Sequence, residues 1–403
     1  MKKIILSALI VWILFLFFYA FMLSTLESFG GNYSGFLRLR ERRVDRIPFL
    51  TDEILQTLIL RKEGGYDGQW YYYITFDPFL NLYSDEPEIY DDIIDAPPYR
   101  YTRIGYPLLT RLFSGGNPLN FPRTMVLLIL FFNVAGSIFF LKIVQHFERN
   151  VLWTFLYALI PCTTACLNLG VPESISMSLL VGGLYFYLKE RLPVAVLFFA
   201  VSILVRDTSL IFVVIAAAFE IVRQRRIRVA LALLSAILPL LGWKFFLTWR
   251  LFDLYGWETL HYSPGDFTYL FGGVSDLYFK HWDKTSRIPG LIIFPVFVIL
   301  NFVFAVFLLI RKRDLFGINL IAYCSLHLSL NYTKIWGHIR DLERTMSDGF
   351  LFLILAFLAL PAASRLRYPI AALFVALFVY KVFYSPLASH FVAALDLRQA
   401  FHF

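Results

Sequence analysis

The segment MKKIILSALIVWILFLFFYAFMLS, residues 1–24, opens with two lysines and continues as an apolar run from Ile4 to Leu23. At 1.5 Å per residue, a helix of this length crosses a bilayer core of about 30 Å. No small-residue cleavage site follows the run, so we interpret it as an uncleaved first span rather than a signal peptide. The opening segment therefore predicts an integral membrane protein.

The composition of the whole chain leads to the same expectation. Of the 403 residues, 59% are hydrophobic and only 16% are charged, whereas soluble proteins average about 45–50% and about 25%. A soluble domain this apolar could not cover its own surface. The composition therefore excludes a water-soluble enzyme, a disordered chain and a nucleic-acid-binding module.

Further apolar runs follow the first one, and they are continuous rather than alternating, which favours helices over a β-barrel. They lie near 124–143, 151–168, 173–188, 193–205, 208–222, 229–248, 290–310, 315–331, 346–363 and 369–385. We therefore predict an all-α, polytopic transmembrane bundle of about 11 spans.

The positive charges predict the orientation of this bundle. Basic clusters lie between apolar runs, at Lys2/Lys3, Lys142–Arg149, Lys189–Arg191, Arg223–Arg228, Arg311–Arg313 and Arg365–Arg367. All six fall on one side if the amino terminus is inside and the carboxyl terminus is outside. The net charge of +8 then reflects topology rather than a nucleic-acid partner, and the bilayer is the expected surroundings.

This orientation leaves long loops on the outer side, at about 25–122, 249–289 and 332–345. Function is therefore expected on the extracytoplasmic face of a plasma or inner membrane. The first loop is too long for a connection without structure of its own, which indicates function. Its segments 36–47 and 51–62 predict two amphipathic helices on the membrane surface. The arginines of segment 36–47 would contact lipid headgroups or dock a lipid phosphate.

The loop carries a candidate general base at Asp67. Glycines stand on both sides of this residue and permit a tight turn that aims its carboxylate at the bilayer surface. A carboxylate held near apolar groups can remove a proton from a hydroxyl. Trp70 and Tyr71 offer ring faces that suit sugars. The alternatives are a turn-forming aspartate and an interfacial aromatic belt.

Arg100 and Arg103 lie three residues apart before the next apolar run, so on a helix they share a face. Two guanidiniums can hold a phosphate by charge-assisted bonds. The alternative is contact with lipid headgroups.

Charged residues also stand at the ends of predicted spans. Such groups are costly in a membrane and usually face a cavity or each other. They are Glu173, Arg206, Asp207, Asp341 and Arg344. In the predicted topology all lie on the side of Asp67, which favours one shared site. The alternative is a set of structural ion pairs, such as Arg206 with Glu173.

Metal binding is not indicated by the sequence. The histidines lack paired ligand spacing. Asp91 and Asp92 could hold a hard cation with other oxygens, although adjacent acids in a loop are more often solvated. We predict no metal ligand and no cofactor, with a divalent metal left open.

These motifs together resemble a known family, the GT-C membrane glycosyltransferases that use polyprenyl-phosphate sugars. The resemblance rests on Tyr66-Asp67-Gly68-Gln69-Trp70-Tyr71, Arg100-Tyr-Thr-Arg103-Ile-Gly-Tyr-Pro, Pro172-Glu173 and Arg206-Asp207-Thr208. They are distantly similar to the second mannosyltransferase of GPI-anchor synthesis and its bacterial and archaeal relatives. The resemblance covers residues 1–222, including the outer loop 25–122, and leaves 223–403 as a variable membrane module.

The resemblance implies an inverting transfer of one sugar from a polyprenyl-phosphate donor to an acceptor hydroxyl on a glycan, lipid or protein. Asp67 would be the base, and Arg100, Arg103 and Arg206 would bind the donor phosphate. The implied substrate contacts are Trp70, Tyr71, Glu173, Asp207, Asp341 and Arg344.

Two other functions remain open from the sequence. A transporter or flippase of a lipid-linked substrate would use the same groups without making a bond. Such proteins often carry matching interrupted spans in two halves, and the sequence shows none. A structural subunit is the third hypothesis, against which the polar density of the first loop argues.

Overall fold

The computed structural model describes residues 2–41, 44, 47–82, 93–257, 267–285, 289–311, 314–331 and 335–360. Several predicted features lie outside the described residues. They are Asp91, Asp92, the basic cluster at 365–367 and the span at 369–385.

The fold is all-α, as predicted, apart from two strands of two residues each. The described helices and strands are α1 (Lys2–Glu27), β1 (Leu39–Arg40), α2 (Asp52–Leu55), β2 (Leu60–Arg61), α3 (Gly68–Phe76), α4 (Pro97–Thr102), α5 (Gly105–Phe113), α6 (Phe121–His146), α7 (Phe155–Ala158), α8 (Pro161–Leu169), α9 (Glu173–Leu188), α10 (Leu192–Val205), α11 (Ser209–Val222), α12 (Ile227–Ser235), α13 (Leu238–Tyr255), α14 (Gly272–Phe279), α15 (Trp282–Thr285), α16 (Pro289–Arg311), α17 (Leu315–Leu328), α18 (Ile339–Thr345) and α19 (Ser347–Leu358). Single 3₁₀ turns lie at Tyr33–Leu37, Pro118–Asn120 and Val151–Thr154.

Within the described residues, three helical stretches are long and apolar enough to cross a membrane, namely Ile4–Glu27, Pro118–His146 and Ile227–Tyr255. A bent pair, Val151–Ala158 with Pro161–Leu169, would form a fourth span with a break of 42°. Pro161 begins the second piece, where its missing N–H and fixed φ suit a new helix start.

Shorter apolar helices account for the other predicted runs within the described residues. They are Glu173–Leu188, Leu192–Val205, Ser209–Val222, Phe294–Ile310, Leu315–Leu328 and Ser347–Leu358. Large apolar side chains point outward from the long helices, as with Ile4 at 75% and Phe245 at 77% exposure. Such outward apolar surface is typical of a protein embedded in lipid. The number of crossings and their orientation stay predictions.

Close helix packing in the centre depends on small residues. A Cβ added to Gly182 on α9 would lie 2.6 Å from the Phe198 ring on α10. A Cβ on Gly183 would lie 2.5 Å from the ring of Phe199. Glycines therefore let α9 and α10 approach closely, as is common between membrane helices.

The prediction of two amphipathic surface helices at 36–47 and 51–62 is wrong over the described residues. Arg38 has a φ of +56°, which a right-handed helix cannot accommodate. Strand β1 then pairs in parallel with β2. In the second segment only Asp52–Leu55 is helical, because the N–H of Ile59 donates to Ser34 Oγ at 2.8 Å instead of to a helical carbonyl.

The proposed division at residue 222 also stays a prediction, although contacts cross it. Tyr323 of α17 donates its hydroxyl to the carbonyl of Thr208 at 3.0 Å. Arg149 donates to the carbonyls of Leu358 and Leu360 at 3.0 and 2.7 Å. Residues after position 222 thus form hydrogen bonds with residues before it.

Candidate functional site

A cavity of about 860 Å³ lies where the first loop meets the ends of α9, α10, α11 and α18. The structure brings to it every predicted site residue except Tyr71. Those that line it are Asp67, Trp70, Arg100, Arg103, Glu173, Arg206, Asp207, Asp341 and Arg344. They come from five separate stretches of sequence, so only the tertiary fold places them together.

Gly68, the residue after Asp67, lies directly against the backbone at the end of α8. A Cβ added to Gly68 would lie 2.7 Å from the carbonyl oxygen of Leu169 and 3.1 Å from that of Leu37. These are backbone atoms that cannot rotate away, so only glycine fits here. Asp67 itself has right-handed backbone angles and stands at the start of α3. Gly68 therefore permits a close approach rather than the tight turn that the sequence predicts.

Gly105 has the same role for Arg103. A Cβ on Gly105 would lie 2.7 Å from the backbone nitrogen of Val205 and 2.8 Å from the carbonyl carbon of Leu204. The start of α5 consequently touches the end of α10. This contact places Arg103 beside Asp207, with 3.4 Å between Nε and Oδ1.

Arg344 is the centre of a cluster of carboxylates, and each of its nitrogens meets a different one. Nη1 donates to Glu173 Oε1 at 2.8 Å and Nε donates to Asp341 Oδ1 at 3.2 Å. Nη2 lies 2.5 Å from Asp67 Oδ2. The hydroxyl of Tyr66 donates to Asp341 Oδ1 at 2.7 Å, and burial raises the pKa of Tyr66 well above its usual value. We call these five residues the Arg344 cluster.

Asp67 is shared between Arg344 and Arg100. Its other oxygen lies 3.0 Å from Arg100 Nη1, and its side chain is 16% exposed. Burial alone would raise the pKa of the Asp67 carboxyl, but the charges of Arg344 and Arg100 outweigh burial and hold the pKa below its usual range. Without a bound substrate, Asp67 is thus an ionised but weakly basic carboxylate.

Arg100 on α4 and Arg103, the residue that follows α4, pair with different carboxylates. Arg100 also donates to Asp95, from Nε at 2.8 Å and from Nη2 at 3.2 Å. Arg103 turns toward Asp207 instead. The Tyr99 ring lies against both guanidiniums, with its centroid 5.3 Å from the Arg100 Cζ and 4.7 Å from that of Arg103.

Arg206 does not pair with Glu173, which was the structural alternative in the sequence. It donates to Ser347 Oγ at 2.8 Å and to the Thr345 carbonyl at 3.1 Å. Its Nη1 also lies 3.5 Å from Asp348 Oδ2. These contacts connect the end of α18 and the start of α19 to the segment between α10 and α11. Only Nε has no hydrogen-bond partner within the described part of the chain.

Tyr71 lies behind the cavity rather than in it. Its side chain is fully buried and packs edge-on against Tyr106, with ring centroids 5.6 Å apart. The substrate contact predicted for Tyr71 therefore lacks access to the cavity in this structure.

Sequence reasoning missed Tyr66, Tyr99 and Lys244, which also line the cavity. Lys244 lies on α13, within reach of the charge of Asp207. A lysine inside the apolar run 229–248 is costly and is itself a signal of function. The tyrosines gave no comparable signal, because the sequence is rich in them.

One wall of the cavity is apolar. It is formed by helices α11, α13 and α17 with the segments that follow α13 and α17, and its residues are Leu210, Ile211, Leu240, Phe267, Leu326, Leu330 and Ile335. Charged groups and an apolar wall therefore share one space, which suits a ligand that is itself part charged and part hydrocarbon.

Neither a metal-binding group nor a known relative identifies the ligand of this cavity. Among the residues that the structure describes, no three His, Cys, Asp or Glu side chains are grouped to hold a metal ion. Compared with known proteins, the chain matches no family model, no curated protein and no solved structure.

Proposed function

We propose that the protein is an inverting glycosyltransferase that moves one sugar from a polyprenyl-phosphate donor to an acceptor hydroxyl. The observation that carries the proposal is the cavity that Asp67, Arg100 and Arg103 line together with the apolar wall. A sugar phosphate on a hydrocarbon chain has matching parts. The resemblance of the loop motifs to GT-C glycosyltransferases supports the same reaction.

The proposed reaction is a single displacement. The acceptor oxygen attacks the anomeric carbon while its proton passes to an oxygen of Asp67. The bond from that carbon to the phosphate oxygen breaks, and polyprenyl phosphate leaves with the electron pair. One displacement inverts the anomeric centre, and such a base contributes about 10²–10⁴-fold to the rate.

Donor binding would raise the basicity of Asp67. In the ligand-free protein its two oxygens are engaged by Arg100 and Arg344. The negative charge of a phosphate bound to Arg100 would offset one of the positive charges that lower the Asp67 pKa. The carboxylate then becomes a stronger base only when a donor is present.

The leaving phosphate is best accommodated between Arg100 and Arg103, whose guanidiniums both lie against the Tyr99 ring. Arg103, Arg206 and Lys244 supply three positive charges there, against the carboxylates of Asp207 and Asp348. The Nε atom of Arg206 is buried and has no hydrogen-bond partner among the described residues, and the Nε atom of Arg103 meets only the 3.4 Å ion pair with Asp207 there. Charge grows on the leaving oxygen in the transition state, so donors held in place there stabilise it most at that moment.

Trp70 and the apolar wall would bind the uncharged parts of the donor. Trp70 lines the cavity beside Arg100, whose Cζ is 5.7 Å from its ring centroid. The indole thus lies next to the position proposed for the sugar phosphate. The wall near Leu210 and Leu240 would take the first isoprene units.

A panel of synthetic polyprenyl-phosphate sugars tests the proposal. Purified protein is incubated with each donor and with a mixture of acceptor glycans and lipids. We expect free polyprenyl phosphate to appear with one donor sugar, and to be lost with Asp67→Asn. If no donor of the panel is cleaved above the level of that variant, the proposed reaction is wrong.

A further inference from the structure

Four arginines lie together at the edge of the cavity, and we call Arg38, Arg40, Arg61 and Arg340 the arginine cluster. The register of the parallel ladder pairs Arg40 of β1 with Arg61 of β2. Paired residues of neighbouring strands project from the same face. Two like charges side by side are destabilising unless something between them compensates.

The electrostatics of Arg38 show that the other charges are close. Burial, together with the charges of Arg61 and Arg340, lowers the pKa of Arg38 to about 10, whereas the charge of Tyr66 acts in the opposite direction. Burial and Arg340 lower the pKa of Arg61 as well. The cluster therefore concentrates positive charge in a half-buried place.

Within the described part of the chain, Arg38 contacts neutral groups. Arg38 donates from Nη2 to Asn168 Oδ1 at 2.9 Å and lies over the Phe29 ring at 5.3 Å. The Nε atoms of Arg38 and Arg40 are buried without a hydrogen-bond partner there. None of the ion pairs between described residues involves a member of the cluster.

The backbone of Arg38 adds a further cost. Its φ of +56° and ψ of 48° place it in the left-handed region, which non-glycine residues rarely adopt and which costs on the order of 1 kcal/mol. Strain at a charged residue is retained where the surrounding structure requires that position. Here the residue immediately precedes β1, and the charges of Arg61 and Arg340 act on it.

The cluster adjoins the cavity on the side of the Arg344 cluster. Arg40 lines the cavity, as does Tyr66 of the Arg344 cluster. Arg340 immediately precedes Asp341, which accepts the hydrogen bond from Tyr66. A ligand bound at the arginine cluster could therefore extend into the cavity from the side of Arg344.

We infer that the arginine cluster is a second anion site that binds a phosphate group, distinct from the proposed donor-phosphate site near Arg103. Planar guanidiniums bind phosphate oxygens through paired N–H donors, and several of them match a group with two negative charges. The phosphate would belong to a bilayer lipid headgroup or to a free phosphorylated ligand. The inference stands without the proposed sugar transfer, because it concerns binding alone.

Binding to the full-length protein in neutral detergent tests this inference. The probes are inorganic phosphate, inorganic pyrophosphate and phosphatidic acid in mixed micelles, with phosphatidylcholine micelles as the uncharged comparison. Affinity is measured by the shift of the unfolding temperature and by direct titration. We expect Arg61→Gln and Arg340→Gln each to weaken binding of the preferred probe by about tenfold or more, because each loses a charge-assisted hydrogen bond.

Arg228→Gln is the matched control, because Arg228 is exposed on α12 and loses the same charge. It should bind like the parent protein. Without a probe, Arg61→Gln should unfold at the same or a higher temperature than the parent, because it relieves repulsion with Arg38 and Arg340. A merely structural arginine would instead lower that temperature.

Two results would overturn the inference. One is that neither inorganic anion nor phosphatidic acid binds the parent protein. The other is that Arg61→Gln and Arg340→Gln bind as well as Arg228→Gln. A preference for phosphatidic acid over the inorganic anions assigns the site to a lipid headgroup, and the reverse assigns it to a free phosphorylated ligand; either supports a phosphate site.

Discussion

The exchange Asp67→Asn separates the proposed base from a structural carboxylate. It removes a negative charge that lies 3.0 Å from Arg100 Nη1 and 2.5 Å from Arg344 Nη2. Breaking a buried ion pair by removing one partner costs about 3–5 kcal/mol. Here the loss should be about 1–3 kcal/mol, since Arg100 keeps Asp95 and Arg344 keeps two other carboxylates. Single-turnover sugar transfer should fall by about 10²–10⁴-fold.

Glu220→Gln is the control for the structural part of this effect. Glu220 is buried and accepts from Arg226 Nε and Nη2, both at 2.7 Å, away from the cavity. Its exchange should lower the unfolding temperature while the transfer rate of the folded protein stays near that of the parent. A parent-like rate in Asp67→Asn would refute the assignment of the base. If Asp67→Asn and Glu220→Gln lose transfer rate and stability to the same extent, the lower rate of Asp67→Asn is a consequence of unfolding.

The pH dependence of stability provides a second test of the ion pairs that Asp67 forms with Arg100 and Arg344. An unperturbed aspartate has a pKa of about 3.9, and the pKa of Asp67 lies below its usual range because of Arg344 and Arg100. A lowered pKa in the folded state contributes stability above about pH 4, and this is lost as the pH falls through the folded value. The stability difference between the parent and Asp67→Asn should therefore shrink below about pH 4. A constant difference between pH 7 and pH 3 would contradict the ion pairs.

Three further predictions concern binding, packing and topology. Arg103→Lys should weaken donor affinity and slow single-turnover transfer together, since a point charge cannot replace a guanidinium fork; unchanged values would move phosphate recognition elsewhere. Gly105→Ala should destabilise the protein by about 1–3 kcal/mol, as overpacking does, and should reduce transfer by displacing Arg103, whereas parent-like stability would mean that the contact with α10 is loose. A cysteine introduced at position 280 should react with an impermeant thiol reagent from outside, whereas one introduced at position 224 should not. Background labelling should be low because the three native cysteines are buried. The reverse labelling pattern would invert the predicted orientation.

The apolar runs predicted helices well, because burial in lipid requires continuous apolar helices with internally satisfied backbones. The run 173–188 coincides with α9, and 193–205 differs from α10 by one residue. The same reasoning placed Glu173 and Arg206 at helix ends, where the structure also has them. Local periodicity and composition are sufficient for this level of the fold.

The arrangement of partners could not be predicted from the sequence. Glu173 pairs with Arg344, which lies 171 residues away along the chain, and not with Arg206. Which guanidinium meets which carboxylate depends on how α18 packs against α8, α9 and the first loop. No local pattern contains that information.

The first loop also shows where a local pattern misleads. Apolar residues at helical spacing in 51–62 favour a helix, yet Ser34 and β1 compete for the backbone of residues 59–61. Tertiary hydrogen bonds override a short helix, whose nucleation is costly on its own. The pairing of Arg40 with Arg61, and so the second anion site, was therefore not visible in the sequence.

One measurement in proteoliposomes tests the central claim most directly. A polyprenyl-phosphate sugar labelled in the sugar is supplied with an acceptor on the outer side, and cleavage and translocation of the donor are followed together. We predict one polyprenyl phosphate released for each sugar transferred, inversion at the anomeric carbon, and loss of both with Asp67→Asn. Passage of the intact donor across the bilayer without cleavage would contradict this account and would identify a flippase.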